Sequence, residues 1–271
     1  MGKRFLKQLI HMRTIFCLVL ALICCSSCKT GKTINSSNVD AKQNWTLFFN
    51  DNCTQDWTKN WTLDGLIATV ENSKEGMHFK AGPEAYNDAH HAVLWTKDSY
   101  SGDIKIEFDY IKTDDENRFV NILYIQAAGD EEGVYEKDIS KWKKKREIPA
   151  MRAYFENMNV FHISYAAFGN KGDGFYYVRS RRYPKAKGQP FNSIVVQPSY
   201  DKQGFFEKGK KYHITAIKTK DMLSFKMENK GNVETFQWDI SQVKPIKEGR
   251  IGIRHMYRRS AIYKNFKIYK K

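Results

Sequence analysis

A group of His, Tyr, Arg, Gln and Trp residues falls on stretches that alternate like β-strands, and these side chains carry proton-transfer and anion-binding chemistry. In the stretch 160–166, His162 stands between Phe161 and Ile163. Successive strand residues point to opposite faces, so His162 faces away from that apolar pair. In Phe175-Tyr176-Tyr177-Val178-Arg179-Ser180-Arg181-Arg182-Tyr183 the same rule puts Tyr177, Arg179 and Arg181 on one face, with Tyr176, Ser180 and Arg182 on the other. Near the end, Arg254-His255-Met256-Tyr257 sets His255 together with Tyr257, and His90-His91 precedes Val93 and Trp95. Asn121 and Gln126 share a strand and point to opposite faces. An imidazole with its ordinary pKa of about 6.5 exchanges protons near neutrality. Tyrosine can serve as acid or base toward a reacting oxygen or carbon, and a guanidinium grips a carboxylate through paired donors. Cationic strand residues beside Tyr and Trp therefore suit an anionic sugar.

Other chemistries lack their residues. There is no G-x-S-x-G, no H-E-x-x-H, no phosphate loop and, beyond residue 28, no C-x-x-C. No cofactor and no catalytic metal are expected. A structural calcium could find oxygens at Asp114-Asp115-Glu116-Asn117 or at Asp51-Asn52, although acidic turns commonly arise without one.

The elements that must position these residues are strands. Ile104-Lys105-Ile106-Glu107-Phe108-Asp109-Tyr110 alternates apolar and charged, as a strand with one wet face does. Residues 120–126 are apolar on both faces and predict a central strand. Further strands are expected at 45–49, 66–70, 77–80, 91–96, 160–166, 175–182, 212–219, 223–228, 235–238, 250–257 and 261–269, with Gly, Asn, Asp and Lys at the turns. The one helical candidate runs from Ile139 to Asn157, broken at Pro149, and its Lys141-Trp142-Lys143-Lys144-Lys145-Arg146 run reads as a solvated face. Many short strands in one segment, 44–271, predict an all-β jelly-roll sandwich of two antiparallel sheets, with one short helical insertion and a concave face on one sheet.

Residues 1–28 read as a lipoprotein signal. Lys3, Arg4, Lys7 and Arg13 precede a short apolar run, 15–23, and Cys24-Cys25-Ser26-Ser27-Cys28 follows. The small pair Ser26-Ser27 makes Cys28 the expected lipid-bearing residue, with Cys25 as the alternative. Residues 29–43 are polar and predict a flexible tether. The chain is then expected in the cell envelope of a bacterium, lipid-anchored and facing the periplasm or the outside. Cys53 is left alone in the folded part, so no internal disulfide can form. The chain carries 45 Lys and Arg against 30 Asp and Glu, a formal +15, and still 41 against 30 after residue 28. Outside the cytoplasm such a surface meets acidic polysaccharide or lipid and not nucleic acid.

Particular strings resemble one family. Leu94-Trp95, Ile125-Gln126-Ala127, Asp138-Ile139 with Trp142, Arg146 with Pro149 and Met151, the His162 strand and Arg181-Arg182-Tyr183-Pro184 are similar to domain-of-unknown-function family 1961, the YesU-like proteins of bacterial polysaccharide-utilisation clusters, and the closing 249–256 resembles the final strand of concanavalin-like sandwiches generally. The likeness runs from about Trp45 to Tyr269. It implies a concanavalin-like jelly roll and work on a polysaccharide, often one containing uronate.

Of the reactions such a sandwich could host, hydrolysis needs two carboxylates flanking the bond, and here only Glu107-Phe108-Asp109 and Glu156 come near that pattern. β-Elimination at a uronate needs cations or amides on the carboxylate and a His or Tyr to move protons at C5 and C4. His162, Tyr177 or Tyr257, Arg179 or Arg254, and Gln126 supply that set, with His91, Trp95, Asn121, Arg181 and His255 as further substrate contacts. The leaving group is a sugar in a polysaccharide lyase or water in an oligosaccharide dehydratase, and both give a 4,5-unsaturated uronate. The competing expectation is a non-catalytic binding lipoprotein for acidic glycans, using Trp95 and Trp142 as platforms; a glycoside hydrolase comes third.

Overall fold

The computed structural model describes residues 44–271; the signal segment, the tether and Cys28 lie outside the described residues. Fifteen strands are labelled in chain order. An eight-stranded sheet runs β13 (Asn232–Asp239), β12 (Met222–Asn229), β11 (Lys211–Lys218), β6 (Ile104–Lys112), β15 (Ser260–Lys270), β4 (Gly76–Lys80), β3 (Thr69–Ser73), with β1 (Thr46–Asp51) also on β15. A seven-stranded sheet runs β10 (Val195–Asp201), β9 (Tyr176–Tyr183), β8 (Met158–Phe168), β7 (Asn121–Gly129), β14 (Glu248–His255), β5 (Ala92–Ser101), β2 (Trp61–Asp64). Every pairing is antiparallel. This is the two-sheet jelly-roll sandwich that the alternation predicts. Among the described residues no helix is long and apolar enough to cross a membrane.

The core lies between the sheets. Leu123 and Ile125 of β7, Phe161, Ile163 and Tyr165 of β8, and Ile251 and Ile253 of β14 face Ile106 and Phe108 of β6, Ile214 of β11 and Phe225 of β12. Withdrawing each such side chain from water contributes about 1.5–3 kcal/mol. The alternate residues of the seven-stranded sheet form a second buried layer on its outer face, around Trp95, Tyr124, Val160 and Tyr183. That layer explains why β7 is buried along its whole length, as its doubly apolar text requires.

What covers the outer layer is the insertion between β7 and β8. It is a 3-10 segment, Ile139–Arg146, followed by a short helix α1, Met151–Asn157, with Pro149 in the break. The break falls where proline restricts its predecessor to extended backbone. The insertion is not simply a solvated face: Trp142 and Arg146 are buried. Two strand boundaries also differ from expectation. Leu66 and Ile67 sit exposed in the turn between β2 and β3, and β10 was not legible because Pro198 interrupts its text. The acidic turns hold protein donors. Asp114 accepts from Arg259, Lys112 and the Glu116 and Ser260 amides, and Asp51 accepts from the Cys53 amide, Asn60 and Trp61.

Candidate functional site

Strand register sets two rows of side chains across the outer face of the seven-stranded sheet. One row is Arg181–His162–Tyr124–Gly252–Trp95, and the next is Arg179–Ser164–Ile122–Arg254–Val93–Asp64. Gly252 is required in the first row. A Cβ there would stand 2.4 Å from the Trp95 ring, which crosses over it to stack on Tyr124 at 5.3 Å and 17°.

His162 is the centre of the cluster. Its Nδ1 lies 2.6 Å from the Tyr183 hydroxyl and its Nε2 2.6 Å from Ser164 Oγ. Arg181 Nη1 donates to the same Ser164 oxygen at 3.2 Å. Burial, then the charges of Arg181, Arg254 and Arg179, hold the imidazole well below its usual pKa, so it is neutral. Burial raises the Tyr183 and Tyr124 phenols, so both are protonated at rest.

Arg254 lies over the Tyr154 ring at 4.6 Å and donates through Nη2 to the Pro149 carbonyl and to His91 Nδ1, the latter at 2.6 Å. A guanidinium can only donate, so His91 Nδ1 is an acceptor and Nε2 carries the proton. Burial followed by the Arg254 charge pushes the His91 pKa down to about 2, so the ring is neutral. Several atoms of the cluster are then buried donors with no close partner: Arg254 Nε and Nη1, Arg181 Nε and His91 Nε2–H, while the Tyr124 hydroxyl lies beside Tyr183 and Arg254.

The charges are unbalanced in the same place. Arg146 is answered by Asp64 at 2.7 Å and Arg259 by Asp114 at 3.1 Å. Arg179, half-buried, is answered by Asp201 at 3.1 Å. Arg181 and Arg254 are buried with no acid partner among the described residues. An uncompensated buried charge costs several kcal/mol, so an anionic acceptor beside Arg181 and Arg254 would be stabilised there.

Asp64 ties the insertion down over the cluster. Its carboxylate accepts from Trp95 Nε1 at 2.7 Å, Arg146 Nε at 2.7 Å and the Tyr154 hydroxyl at 3.1 Å. Tyr154 in turn lies parallel to Tyr124, with ring centres 5.9 Å apart.

The structure brings together five of the residues expected from sequence, His162, Arg181, Arg254, His91 and Trp95. Trp95 and Trp142 are buried and are not open platforms for a sugar. Tyr177 and Arg179 stand further along β9 at the half-buried margin, with the guanidinium 4.5 Å from the Tyr177 ring centre. Tyr257 packs on His91 at 4.3 Å and on Phe119 at 4.5 Å, at the Arg254 side. Three others are elsewhere. Asn121 points into the sandwich and donates to Tyr110, and His255 stacks on Phe79 and bonds Tyr263 there, apart from Tyr257. Gln126 occupies a bulge with φ of 56° and donates to the Tyr100 and Gly102 carbonyls. Glu107 and Asp109 belong to β6 of the other sheet, so they cannot serve as a carboxylate pair here.

Residues that sequence reasoning did not place are Tyr183, Tyr124, Ser164, Asp64, Arg146 and Tyr154. One more step of the alternation that carries Tyr177, Arg179 and Arg181 reaches Tyr183. The Asp64–Arg146 pair, 82 residues apart, had no local signal.

The chain matches the model of the family described as a domain of unknown function, DUF1961, over residues 46–268. It belongs to the DUF1961 family. No curated protein matches its sequence. Among solved structures this DUF1961 chain is similar to a protein of unknown function with a galectin-like fold from Bacillus subtilis, with a TM-score of 0.65 at 17% identity over 83% of this chain and 98% of that one. It is also similar to a basic winged bean lectin with Tn-antigen (TM-score 0.54, 8% identity, 83% and 98% covered) and to the Emp46p carbohydrate recognition domain (0.51, 15%, 84% and 98%). At these identities the likeness establishes the lectin-like sandwich and not what it binds.

Proposed function

We propose that this protein acts on uronate-containing glycans as a carbon–oxygen lyase, by β-elimination at the outer-face cluster. The observation that carries the reading is the pair of buried guanidinium groups, Arg181 and Arg254, that lack an acid and flank the His162–Tyr183 pair. A uronate carboxylate is the acceptor those donors lack. Held there, it would hold the extra charge that develops as the C5 proton leaves.

Both ring nitrogens of His162 are engaged by protein hydroxyls, so its proton traffic with a substrate runs through Tyr183. In this mechanism Tyr183 passes its proton to His162 and takes the C5 proton. The C4–O bond breaks and a C4=C5 double bond forms; Tyr183 then gives the proton taken from C5 to the departing oxygen, and His162 returns its proton to Tyr183, so both residues end as they began. The product is a 4,5-unsaturated uronate and either a shorter glycan or water. Binding would act on both members of the pair, since the Arg181 and Arg254 charges also lower the Tyr183 phenol against the burial that raises it. The charges of Arg181 and Arg254 are among the causes that depress His162, and a carboxylate between them would offset those charges.

A second reading is a non-catalytic binding protein for acidic glycans. It needs only the two guanidinium groups, which can hold a carboxylate without any proton transfer, and His162 has both ring nitrogens already engaged by Tyr183 and Ser164. Incubation with uronate oligosaccharides distinguishes the two. A lyase produces the ultraviolet absorbance of the unsaturated uronate, and mass spectrometry shows whether sugar or water left. Saturable binding without new absorbance selects the binder. Neither binding nor turnover with any uronate sinks both. We further propose that Cys28 carries a lipid that anchors the chain in a bacterial cell envelope; Cys28→Ser should release it from the membrane fraction.

A further inference from the structure

At one end of the sandwich, on the inner side of β8 and away from His162, lies a cavity of about 240 Å³. Its floor is apolar: Phe161, Ile240, Val243 and Ile246. Lys218, Lys220 and Lys247 stand around it. Lys218 is buried at 6% exposure, and its ammonium donates to the Ile246 carbonyl at 2.8 Å and the Gly102 carbonyl at 3.3 Å. It forms no ion pair among the described residues. This contrasts with Lys112, equally buried, which has Asp114 at 2.9 Å. Behind the floor, Arg182 lies over the Phe161 ring at 5.5 Å and donates to the Lys244 carbonyl and to Asn159, again without an acid. Burial lowers both groups, Arg182 to about 10, and for Lys218 the nearby Asp103 charge only partly opposes that lowering. Asp103 is the one carboxylate among the lining residues.

We propose that this cavity is a second binding site, for a single sugar ring bearing a carboxylate or a sulfate. The apolar floor matches the C–H face of a pyranose, and the cationic rim matches one anionic substituent on it. Drug-sized ligands occupy sites of about 300–1,000 Å³, so this smaller space fits one ring and not a chain threaded through it. A buried ammonium with neutral carbonyl partners retains its charge at a desolvation cost, and an anion entering the cavity offsets that cost. The site is independent of the lyase reading, since none of its residues belongs to the His162 cluster.

The test is titration of isotopically labelled protein with glucuronate, glucose 6-sulfate and glucose, following the amide signals of Gly102, Ile246 and Lys247. Saturable shifts are expected with either or both anions and not with glucose; the relative affinity reads carboxylate against sulfate. Lys218→Met keeps the apolar stem and removes the charge. Lys220→Gln combined with Lys247→Gln changes only exposed residues, so it tests the site even if Lys218→Met fails to fold. Either variant should weaken binding at least about 10-fold, while Arg254→Met leaves it unchanged. Absence of shifts with both anions, an equal response to glucose, or unchanged affinity in the double variant overturns the proposal. So does loss of these shifts in Arg254→Met, which would assign the binding to the other face.

Discussion

At the scale of residues, the cluster separates side chains that hold structure from those held ready for a ligand. His162→Asn keeps a polar group in place and removes the base. General acid–base groups typically contribute 10²- to 10⁴-fold. Turnover of a uronate oligosaccharide should therefore fall at least about 100-fold, with Tyr183→Phe falling comparably and melting temperatures little changed. A stable His162→Asn variant with near-normal product formation would remove the pair from the mechanism. Arg254→Met tests the anion site differently. Arg254 has no acid partner to orphan, but the buried Pro149 carbonyl and His91 Nδ1 lose their donor, so stability should fall by about 1–3 kcal/mol while the fold persists. Affinity for a uronate ligand, read by calorimetry, should drop by at least about 10-fold because a charge-assisted contact is lost. His162, Arg181 and Arg254 were legible because alternation alone assigns a face once the neighbours are clearly apolar. Asn121 and His255 were not, because both are polar residues on the core side, answered by Tyr110 and Tyr263 from the opposite sheet. Nothing local in the text says that a distant tyrosine waits for them.

At the scale of elements, the insertion 139–157 decides access to the cluster. Its side-chain ties to the sheet face meet at the Asp64 carboxylate and at the Pro149 carbonyl that receives Arg254, while the Phe155 and Asn157 carbonyls accept from the Lys185 and Asp130 amides. A ligand carboxylate would compete with Pro149 for Arg254 on favourable terms, since a charged acceptor forms the stronger hydrogen bond. Asp64 would still hold the insertion. Asp64→Asn preserves shape and one acceptor oxygen but leaves Arg146 without its countercharge, and breaking such a buried pair costs about 3–5 kcal/mol. The expected outcome is a lower melting temperature and a larger acceleration of hydrogen exchange across 151–157 than across β6 and β11. Uniformly unchanged exchange would show that Asp64 does not hold the insertion. The helical stretch and its break at Pro149 were visible in sequence. Its role as a cover was not, because a Lys-rich run looks solvated until Arg146 and Trp142 are found turned inward.

At the scale of the whole molecule, the sandwich was the most legible feature. Strands such as β6 and β7 declare in their own text whether one face or both are covered, and turn residues bound them. Sheet order was not legible, since the pairing of β14 between β5 and β7 joins segments more than a hundred residues apart. That order gathers three buried neutral histidines into one domain, and their burial gives a global acid response. Burial is the leading cause that holds His162 well below its usual pKa, lowers His91 to about 2 and lowers His255 to about 3. In the unfolded chain each returns to about 6.5. Below that pH the unfolded state binds protons that the folded state refuses, so their contribution to stability is complete above about pH 6.5 and is lost as pH falls toward 3. Each histidine that is protonated only on unfolding adds about 1.4 kcal/mol per pH unit to the slope. Chemical denaturation between pH 7 and pH 4 should therefore show stability falling with acid, with two to three protons taken up on unfolding near pH 5. His255→Gln can still bond Tyr263 but cannot gain a charge, so it should remove close to one proton from that uptake. A flat profile between pH 7 and pH 5 would mean that these imidazoles are not held neutral by the fold.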